Sequence, residues 1–518
     1  MLTERATNGT VDCGTINAFT IWMQNKAWIK DVMRRNFLVR FLRRIIFMSA
    51  INRLIVFNSR TFTSTFRMIR VTLLAWFVPY MLVTTAHAAN WYVRPNGAGA
   101  QTGADWNNAW SLSLGNVNPG DTIWVAGGTY NTTVYFTQGG SSGNPVNVKR
   151  VLVTDPVPVA AAGWSASFDS QVVINGSTGN PLYFQAGYIS VDGRKTQGIV
   201  VNIPNVASAN GALLSNQSYV NLFNIDFEGP GNGVTVPSGG SSPTDWGAGN
   251  ASQCISSNCI FSGCVNNITC NNSTDIIFDH CRWTNSGCAN AETYHPDMAQ
   301  FTGSSFIVIR YCDISSWPVV GIWLDQNANN FYIYGNVFHN PTGTAGAPDV
   351  LWPTDNTGGN SAGPIFFYNN TCVNCIVVGG RSTTIQPTSS SIARNNLYWN
   401  ASINTGLWIA NDDYDFCDAG ELSSTHTISK GSYPFANTNV SWQIVSNTGA
   451  LYPRSNGTTI SSATPDSFIG TITFNTDGNG VARSSWDIGA YEYASTNGTV
   501  VVTMPVPGPF TGITSTNN

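Results

Sequence analysis

The stretch ARNNLYWN, residues 393–400, places two consecutive asparagines beside apolar positions, although asparagine is a poor strand former. Five other segments align with it without gaps: LFNIDFEG (222–229), FDHCRWTN (278–285), IRYCDISS (309–316), IYGNVFHN (333–340) and FYNNTCVN (367–374). From Cys281 onward, the fourth positions are separated by 31, 24, 34 and 26 residues, and the first gap of 56 residues has room for two turns. A fixed motif at variable spacing indicates a solenoid whose loops vary while its strands stay in register.

The alignment columns indicate how the chain turns within each repeat. Positions one and six are mostly apolar, and the polar pair between them does not suit one strand of alternating sides. Two short strands meeting at a sharp corner fit better, because asparagine tolerates the left-handed conformation that a corner needs. Stacked along the axis, Asn336, Asn370 and Asn396 are expected to hydrogen-bond from coil to coil.

Other repeat architectures fit less well. The segments show no helical period, which excludes an α-solenoid, and a β-propeller would need four strands per unit and a period nearer about 40 residues. The sequence therefore predicts an all-β fold, a single-stranded parallel β-helix with about 25 residues per coil and asparagine-ladder corners.

The chain resembles the secreted bacterial right-handed parallel β-helix proteins of the pectate-lyase-like superfamily. Its x-N-N-x-aromatic corners, the opening WYVRPNGAGAQTGADWNNAWS…VNPGDTIWVAGGTY (91–130) and the closing WDIGAYEY (486–493) carry this resemblance. It implies a right-handed β-helix domain over residues 89–493. It does not select an activity, because the superfamily contains lyases, hydrolases, epimerases and non-enzymes.

Charge is distributed unevenly along the chain. Residues 1–70 contain 12 Lys and Arg against 3 Asp and Glu, whereas residues 90–518 contain 12 against 25. The acidic main body is not expected to bind nucleic acid.

The basic N-terminal region looks like a targeting segment. MIRVTLLAWFVPYMLVTTAHAA (68–89) has an Arg-bearing start, an apolar run and a small-residue site, which predicts a signal peptide over 68–88 and a secreted, cell-surface or periplasmic protein. The apolar run is too short to cross a bilayer, so the mature chain is expected to lack a membrane span. The mature chain is also expected to be a monomer. Residues 1–67 are interpreted as a wrongly assigned or non-structural extension, and residues 494–518 as a flexible tail or linker.

Ten cysteines follow the predicted signal, and five of them fall in CISSNCIFSGCVNNITC (254–270) and at Cys281. An even number suits disulfides in an oxidising compartment. Zinc is the alternative, but the gaps between the cysteines of this cluster lack the paired C-x-x-C spacing of a zinc ribbon. Cys281 and Cys312 share one corner position, so they are expected to form either a disulfide or a stack of reduced thiols.

In the resembled family, the sugar groove commonly lies over the strand that precedes each corner. Here these strands are HPDMAQF (295–301), GIWLDQ (321–326), IVVGGR (376–381) and GLWIANDD (406–413). With Phe301, Leu324 and Leu407 inward, alternation predicts outward side chains at Gln300, Trp323, Asp325 and Trp408. Aromatic faces beside amides and carboxylates are what a sugar site needs.

The string YHPDMAQFTG (294–303) supplies a candidate proton-transfer pair, because His295 and Asp297 share one side of a strand. The family often carries a similar H-x-D-x-x-Q string at this point. The structural alternative is a His–Asp hydrogen bond that pins the preceding loop. Elsewhere, Asp279 beside Arg310 and Arg282 beside Asp313 indicate either charge pairing on an exposed face or a groove for anionic sugars.

Three functions remain open at this point. β-Elimination on a uronate polymer would use His295 as base and Arg282, Arg310 or Arg381 as cation, or else a calcium ion held by Asp297 and Asp325. Glycoside hydrolysis would pair Asp297 with Asp325. A non-catalytic adhesin or polysaccharide-binding protein is the third. We expect elimination, with His295, Asp297, Asp325 and Arg381 catalytic, no dedicated metal site, and Gln300, Trp323, Trp408, Arg310 and Arg282 binding substrate.

Overall fold

The computed structural model describes residues 88–491, except for gaps at 113, 177–178, 238–242, 291–295, 344–347, 354–361, 379–386, 404–407, 418–425, 427, 430–434, 438–442, 445–456 and 484–485. The predicted signal peptide, N-terminal extension and C-terminal tail fall outside these residues. So do the candidates His295 and Arg381, and also Leu407. Within the described part, no helix is long and apolar enough to cross a membrane.

Three long parallel sheets account for nearly all of the secondary structure. Sheet A contains β1 (Asn90–Val93), β2 (Thr122–Val125), β5 (Val146–Arg150), β8 (Ile189–Asp192), β11 (Val220–Phe223), β14 (Ser252–Ser257), β17 (Thr274–Asp279), β20 (Ser305–Arg310), β23 (Asn329–Tyr334), β26 (Ile365–Tyr368), β29 (Ile392–Arg394) and β32 (Asn411–Asp413). Sheet B contains β3 (Gly128–Tyr130), β6 (Val172–Asn175), β9 (Ile199–Asn202), β12 (Ile225–Glu228), β15 (Ile260–Ser262), β18 (Arg282–Thr284), β21 (Asp313–Ser315), β24 (Val337–His339), β27 (Thr371–Val373), β30 (Leu397–Trp399), β33 (Phe416–Cys417) and β34 (Ile428–Ser429).

Sheet C contains β4 (Val134–Phe136), β7 (Leu182–Phe184), β10 (Asn210–Leu213), β13 (Thr244–Gly249), β16 (Asn266–Asn271), β19 (Asp297–Thr302), β22 (Val320–Asp325), β25 (Asp349–Pro353), β28 (Ile376–Val378) and β31 (Ser402–Ile403). Two further strands, β35 (Phe435–Asn437) and β36 (Gln443–Ile444), pair with each other. The one α-helix in the described residues is α1 (Pro156–Ala160), and 3₁₀ helices cover Trp106–Asn108 and Ala166–Phe168.

The chain passes through sheets A, B and C in turn, so each coil contributes one strand to each sheet. Ile309 of one coil pairs with Phe278 of the coil before and Ile333 of the coil after. Leu222 pairs with Ser256, and Ser256 pairs with Phe278, so the 56-residue gap does hold two turns. The predicted right-handed parallel β-helix is confirmed.

Apolar residues face the interior and stack on their counterparts one coil away. Phe301 and Leu324 point inward and are fully buried, as alternation predicted. Phe136 and Phe184 stack with ring centroids 4.4 Å apart and planes within 4°. Because equivalent inward residues repeat at each coil, the core is a continuous column in which each apolar side chain packs on its counterpart in the next coil.

The asparagine ladder is confirmed, and its polar atoms are fully used. Asn336 Nδ2 donates to Asn370 Oδ1 at 3.0 Å, and Asn370 Nδ2 donates to Asn396 Oδ1 at 3.2 Å. Each amide also donates to a backbone carbonyl, as Asn370 does to Ile333 O at 2.9 Å. Each Oδ1 accepts a backbone N–H from the preceding coil as well, as Asn370 Oδ1 does from Asn336 N at 3.0 Å. Asp415 ends the column by accepting the backbone N–H of Asn396.

The two asparagines of the motif have different roles. The first takes the left-handed backbone conformation, with φ of +50° at Asn369 and +59° at Asn395. The second turns its amide into the core as part of the ladder. In earlier coils the left-handed position is held by other residues, including His280 and Tyr311, and this explains why the motif varies in sequence.

The expectation of disulfides is wrong for the ten cysteines in the described residues, which are all free and buried. They lie mainly on strands and corners, not in a long loop. Cys281 and Cys312 continue the ladder column with their thiols directed into the core, where each donates to a backbone carbonyl: Cys281 Sγ to Ser256 O at 3.3 Å and Cys312 Sγ to Arg310 O at 3.2 Å. The alternative of a reduced, buried stack is the observed one.

Residues 486–491 of the predicted closing motif pack outside the coils, near the corner between sheets A and B. Ile488 and Ala490 are buried against Val337 and Leu397 on sheet B. Gly489 N donates to Asn395 O at 2.7 Å, so this segment bonds directly to a ladder corner.

Residues 457–483, which we call the strap, cover the outer face of sheet A. Phe474 lies 4.8 Å from the ring of Tyr334 and 5.2 Å from that of Tyr368. His280 faces an acceptor oxygen at each ring nitrogen: Nδ1 lies 3.0 Å from the carboxylate Oδ1 of Asp279, and Nε2 donates to Gly478 O on the strap at 3.0 Å. The middle of this face is therefore closed to solvent.

Replacing one ladder asparagine tests the role of the column. Asn370→Ala removes two donors and the double acceptor that serves Asn336, and leaves buried polar groups unpaired. We expect the free energy of unfolding to fall by roughly 2–5 kcal/mol, measured by denaturant titration. The exposed Asn131→Ala, which removes one outer amide contact to Asn175, should stay within about 0.5 kcal/mol of the parent; equal losses in both variants would contradict a special role for the ladder.

The attachment of the strap should weaken as pH rises. Burial, followed by the contact with the Asp466 carboxyl group on the strap, raises the pKa of Asp275 on sheet A from 3.8 to about 7. Burial alone would lower the pKa of His280, but its hydrogen bond and charge interaction with Asp279 raise it. For both groups the folded pKa is raised, so their stabilisation is present at low pH and is lost as pH rises through the folded pKa.

Hydrogen exchange of peptides covering residues 457–483 measures this loss. Between about pH 5 and pH 9, corrected for intrinsic exchange rates, strap protection should fall while protection of sheet C strands holds. Asp275→Asn, which keeps a neutral partner for Asp466, should flatten the pH dependence around 7. A strap whose protection is independent of pH in the parent protein would show that these contacts do not control it.

Candidate functional site

Sheet C carries an outward column that runs along the helix axis. Strand register places one residue of each coil in this column, which we call the groove column: Tyr135, Tyr183, Leu213, Gly247, Thr269, Gln300, Trp323 and Trp352. At about 4.8 Å per coil, its eight members span roughly 34 Å. This length and straightness suit an extended chain rather than a compact ligand.

The middle of the groove column opens into a polar cavity of about 330 Å³. Leu213 and Ala248 line part of it, and its other side chains carry hydroxyls and amides, contributed by Ser208, Asn210, Ser215, Thr244, Asn266, Thr269, Asn271 and Gln300. The described lining contains no charged side chain. Gly247 forms the floor at a point where a Cβ atom would come within 2.2 Å of Asn210 Oδ1.

Aromatic rings lie in the groove column on both sides of this cavity. Trp323 and Trp352 stack with centroids 5.3 Å apart and planes 20° apart. On the other side, Tyr135 and Tyr183 lie 5.8 Å apart, and Tyr135 is 52% exposed. Flat apolar faces beside hydrogen-bonding groups can stack on sugar rings while the amides and hydroxyls bind their hydroxyl groups.

Two predicted binding residues lie where alternation placed them. Gln300 lines the cavity, and Trp323 stands beside it in the groove column. His295 lies two residues before β19 in the sequence and Arg381 three residues after β28, both outside the described residues. Their predicted roles stay predictions.

The predicted carboxylates Asp297 and Asp325 are both on sheet C but are not opposite each other. Asp297 pairs with Val320, whereas Asp325 pairs with Thr302, five positions further along the strand. Five strand residues correspond to about 16 Å, well beyond the roughly 6.5–9.5 Å of an inverting pair. The expected pairing of these two carboxylates across one bond is therefore wrong, and they do not converge on a calcium ion either.

Along the strand direction, Asp297 lies three residues before Gln300 of the groove column, and Asp325 lies two residues after Trp323. Asp297 is 0% exposed, and its backbone N–H donates to Asn266 Oδ1 at 2.8 Å, next to the cavity. Asp325 is 5% exposed and accepts the backbone N–H of Gln326 at 2.9 Å. In the described residues no group of three or more His, Cys, Asp or Glu side chains is placed to hold a metal ion.

The prediction that Trp408 faces outward is wrong. Its side chain is 2% exposed and packs edge-on against Phe367 and Tyr398, and its indole N–H donates to Asp412 Oδ1 at 3.1 Å. Residues 408–410 are not part of a sheet C strand, so the alternation rule did not apply. Trp408 instead fills the core of the last coils.

The predicted cation Arg310 is also away from the groove. It lies on sheet A beneath the strap, where its Nε donates to Asp279 Oδ1 at 2.7 Å and its Nη1 donates to Tyr334 Oη at 3.2 Å. Burial alone would raise the pKa of Asp279, but Arg310 and His280 lower it below the ordinary range. Asp279 is buried and the Arg310 side chain is 26% exposed, so this is a partly buried structural ion pair, and the strap largely covers the charged face that was expected to be exposed.

Arg282 is exposed on sheet B, a third face of the helix, and lines a separate cavity with Asp226 and Glu228. The predicted binding residues thus fall on three different faces, and only those of sheet C share a groove. Alternation along a single strand gives the side of a sheet on which a residue lies, but it does not show which sheet the strand joins.

Sequence reasoning missed Tyr135, Tyr183 and Trp352. Trp352 had a detectable signal, because VLWP (350–353) aligns with GIWL (321–324) and places the two tryptophans in one column. The two tyrosines lie in coils without the x-N-N-x-aromatic motif, so no alignment connected them to the groove.

Comparisons with known proteins agree with the architecture. A family model described as a right handed beta helix region matches residues 210–350. Similar solved structures include pectate lyase Pel9A (18% identity, covering 79% of this chain and 98% of that chain, TM-score 0.48) and a rhamnogalacturonan lyase (12% identity, 68% and 91% covered, TM-score 0.40). Another is XylC with xylose (12% identity, 61% and 70% covered, TM-score 0.37).

No curated protein matches the chain. Because the three TM-scores lie below 0.5, the fold assignment rests on the strand order and on the family match. The chain has the right-handed parallel β-helix fold that its resemblance to the pectate-lyase-like superfamily implied.

Proposed function

We propose that this chain is a secreted carbohydrate-active protein that binds a polysaccharide along sheet C and cleaves it by β-elimination. The observation that carries the binding part is the groove column, with a neutral polar cavity between two pairs of aromatic rings. An extended polymer can lie along the axis with sugar rings on the aromatic faces and hydroxyl groups against Thr269, Asn271 and Gln300.

The cleavage part rests on sequence position. Elimination requires a base that removes the proton next to a uronate carboxyl group and a cation that neutralises this carboxylate. His295 precedes β19, the strand of Gln300, by two residues, and Arg381 follows β28 by three. We propose His295 as the base and Arg381 as the carboxylate partner. Asp297, buried at the start of β19, would position this strand end.

The aromatic pair is tested by binding. Trp323→Ala should raise the dissociation constant for a bound polysaccharide roughly tenfold, since stacking beyond simple area burial is worth about 0.5–1.5 kcal/mol and the lost contact area adds to it. Trp323→Phe keeps a flat face and should retain most of the affinity. Isothermal titration with pectate, alginate and a neutral glucan identifies the polymer, and identical affinities in all three proteins would place the binding site elsewhere.

The reaction is tested by its products. Incubation with uronate polymers, with and without a chelator, should yield the ultraviolet absorbance of unsaturated sugar ends, and His295→Ala should lower turnover by about 10²–10⁴-fold without loss of binding. Reducing ends without unsaturation would indicate hydrolysis instead. Binding without either product would indicate a non-catalytic polysaccharide-binding protein, and full turnover by His295→Ala would remove His295 as the base.

A further inference from the structure

A second cavity, of about 520 Å³, lies on the outer face of sheet B. Its lining includes Asp226 and Glu228 from β12, Ser262 from β15, and Arg282 and Thr284 from β18. Strand pairing joins these into two neighbouring outward columns, one running from Asp226 through Ile260 to Arg282 and the other from Glu228 through Ser262 to Thr284. This face is separate from the groove column of sheet C.

The two carboxylates of this cavity lie at alternate positions of one strand, a spacing compatible with one kind of bond cleavage. Asp226 and Glu228 are two residues apart on one strand, so their side chains leave the same face with Cβ atoms about 6.6 Å apart. In inverting glycoside hydrolases, an acid and a base lie roughly 6.5–9.5 Å apart so that water fits between the base and the sugar. The Cβ spacing of Asp226 and Glu228 allows their carboxyl groups to take up such a separation, whereas the roughly 16 Å between Asp297 and Asp325 along the strand direction does not.

The two carboxyl groups also have different surroundings. Asp226 is 3% exposed, and Gln197 Nε2 donates to its Oδ2 at 2.7 Å. Burial raises the pKa of Asp226, and the charge of Glu228 adds to this increase. The hydrogen bond from Gln197 and the charge of Arg282 lower the pKa, and the net change is an increase. Glu228 is exposed at the cavity rim. A buried carboxyl group with a raised pKa beside an exposed carboxyl group is the pattern of an acid and base pair.

The far side of the cavity contributes a cation and hydroxyl groups. Arg282 lies two coils from Asp226, at about 9.6 Å between their strands, with Ser262 and Thr284 in the adjacent column. A guanidinium binds a carboxylate through two parallel hydrogen bonds. Arg282 therefore selects an acidic sugar one position away from the bond that lies over Asp226 and Glu228.

We propose that this cavity is a glycoside hydrolase site for short oligosaccharides that carry a uronic acid, with Asp226 as general acid, Glu228 as general base and Arg282 as the carboxylate anchor. Glu228 takes a proton from a water molecule whose oxygen bonds to the anomeric carbon. The bond from that carbon to the leaving oxygen breaks, and Asp226 gives this oxygen its proton. Solvent returns a proton to Asp226 and removes one from Glu228, and the net change is the addition of one water with inversion at the anomeric carbon.

The test uses the full chain and defined substrates. Trigalacturonate and glucuronate-bearing xylotriose serve as acidic probes, and plain xylotriose serves as the neutral probe. Because trigalacturonate is also a uronate substrate for elimination, hydrolysis is measured in the His295→Ala protein. This protein should release new reducing ends from at least one acidic probe without unsaturated absorbance, and proton magnetic resonance should show the inverted anomer first. Asp226→Asn and Glu228→Gln should each lower kcat by about 10²–10⁴-fold, while Arg282→Gln should raise KM for the acidic probe about tenfold with kcat unchanged.

Asp313→Asn is the matched control, because Asp313 lies one coil beyond Arg282 in the same column but bonds to His339 at 2.7 Å; its rate should equal that of wild type. Because Glu228 is exposed, Glu228→Gln should fold even if Asp226→Asn does not, with folding checked by thermal unfolding. Retained configuration, full activity in Glu228→Gln, or no hydrolysis of any probe overturns the proposal. Polymer elimination at sheet C should be unchanged in Glu228→Gln, so the two proposals fail separately.

Discussion

The in-register stacking of corner residues is the constraint on which this molecule depends. Parallel strand pairing alone would tolerate a shift between coils, but the buried column of Asn336, Asn370 and Asn396 does not, since each amide bonds both its neighbour and a backbone carbonyl. A shift by one residue would expose the apolar set and leave these amides unpaired in the core. Fixed register is what makes an outward residue on one coil a reliable neighbour of its counterpart on the next.

Because register is set from the inside, the three outer faces are chemically independent of one another. The face of sheet A is largely covered by the strap, and its charged residues Asp279 and Arg310 bond to each other in a partly buried ion pair. The later coils of sheet B are covered by residues 486–491, which leaves a cavity over its middle coils. The described middle coils of sheet C keep an open cavity between aromatic rings, and this is where an extended ligand can lie.

The sequence was sufficient for the fold because the corner motif is local and repeats. A two-residue corner forces a left-handed residue and a buried neighbour, and both leave a recognisable pattern in eight residues. The site was only partly predictable: Gln300 and Trp323 followed from alternation on true strands, whereas Trp408 did not because its segment is not a strand. The prediction that Arg310 lies in the groove was wrong for a different reason. The strap that covers this part of sheet A comes more than 140 residues later in the sequence, and no local pattern connects the two.

The same reasoning explains why paired carboxylates are informative on one face and not on another. On a stacked coil, a distance between two side chains has a component along the strand and a component along the axis, and only the first can be read from sequence spacing within one strand. Asp226 and Glu228 share a strand, so their separation follows from the sequence once that strand is known. Asp297 and Asp325 sit on different coils, and their separation depends on a register that loop length conceals. In such a helix, a pair of side chains that must lie a fixed short distance apart is therefore best sought within one strand. A binding site for an extended ligand is best sought along a column that crosses several coils.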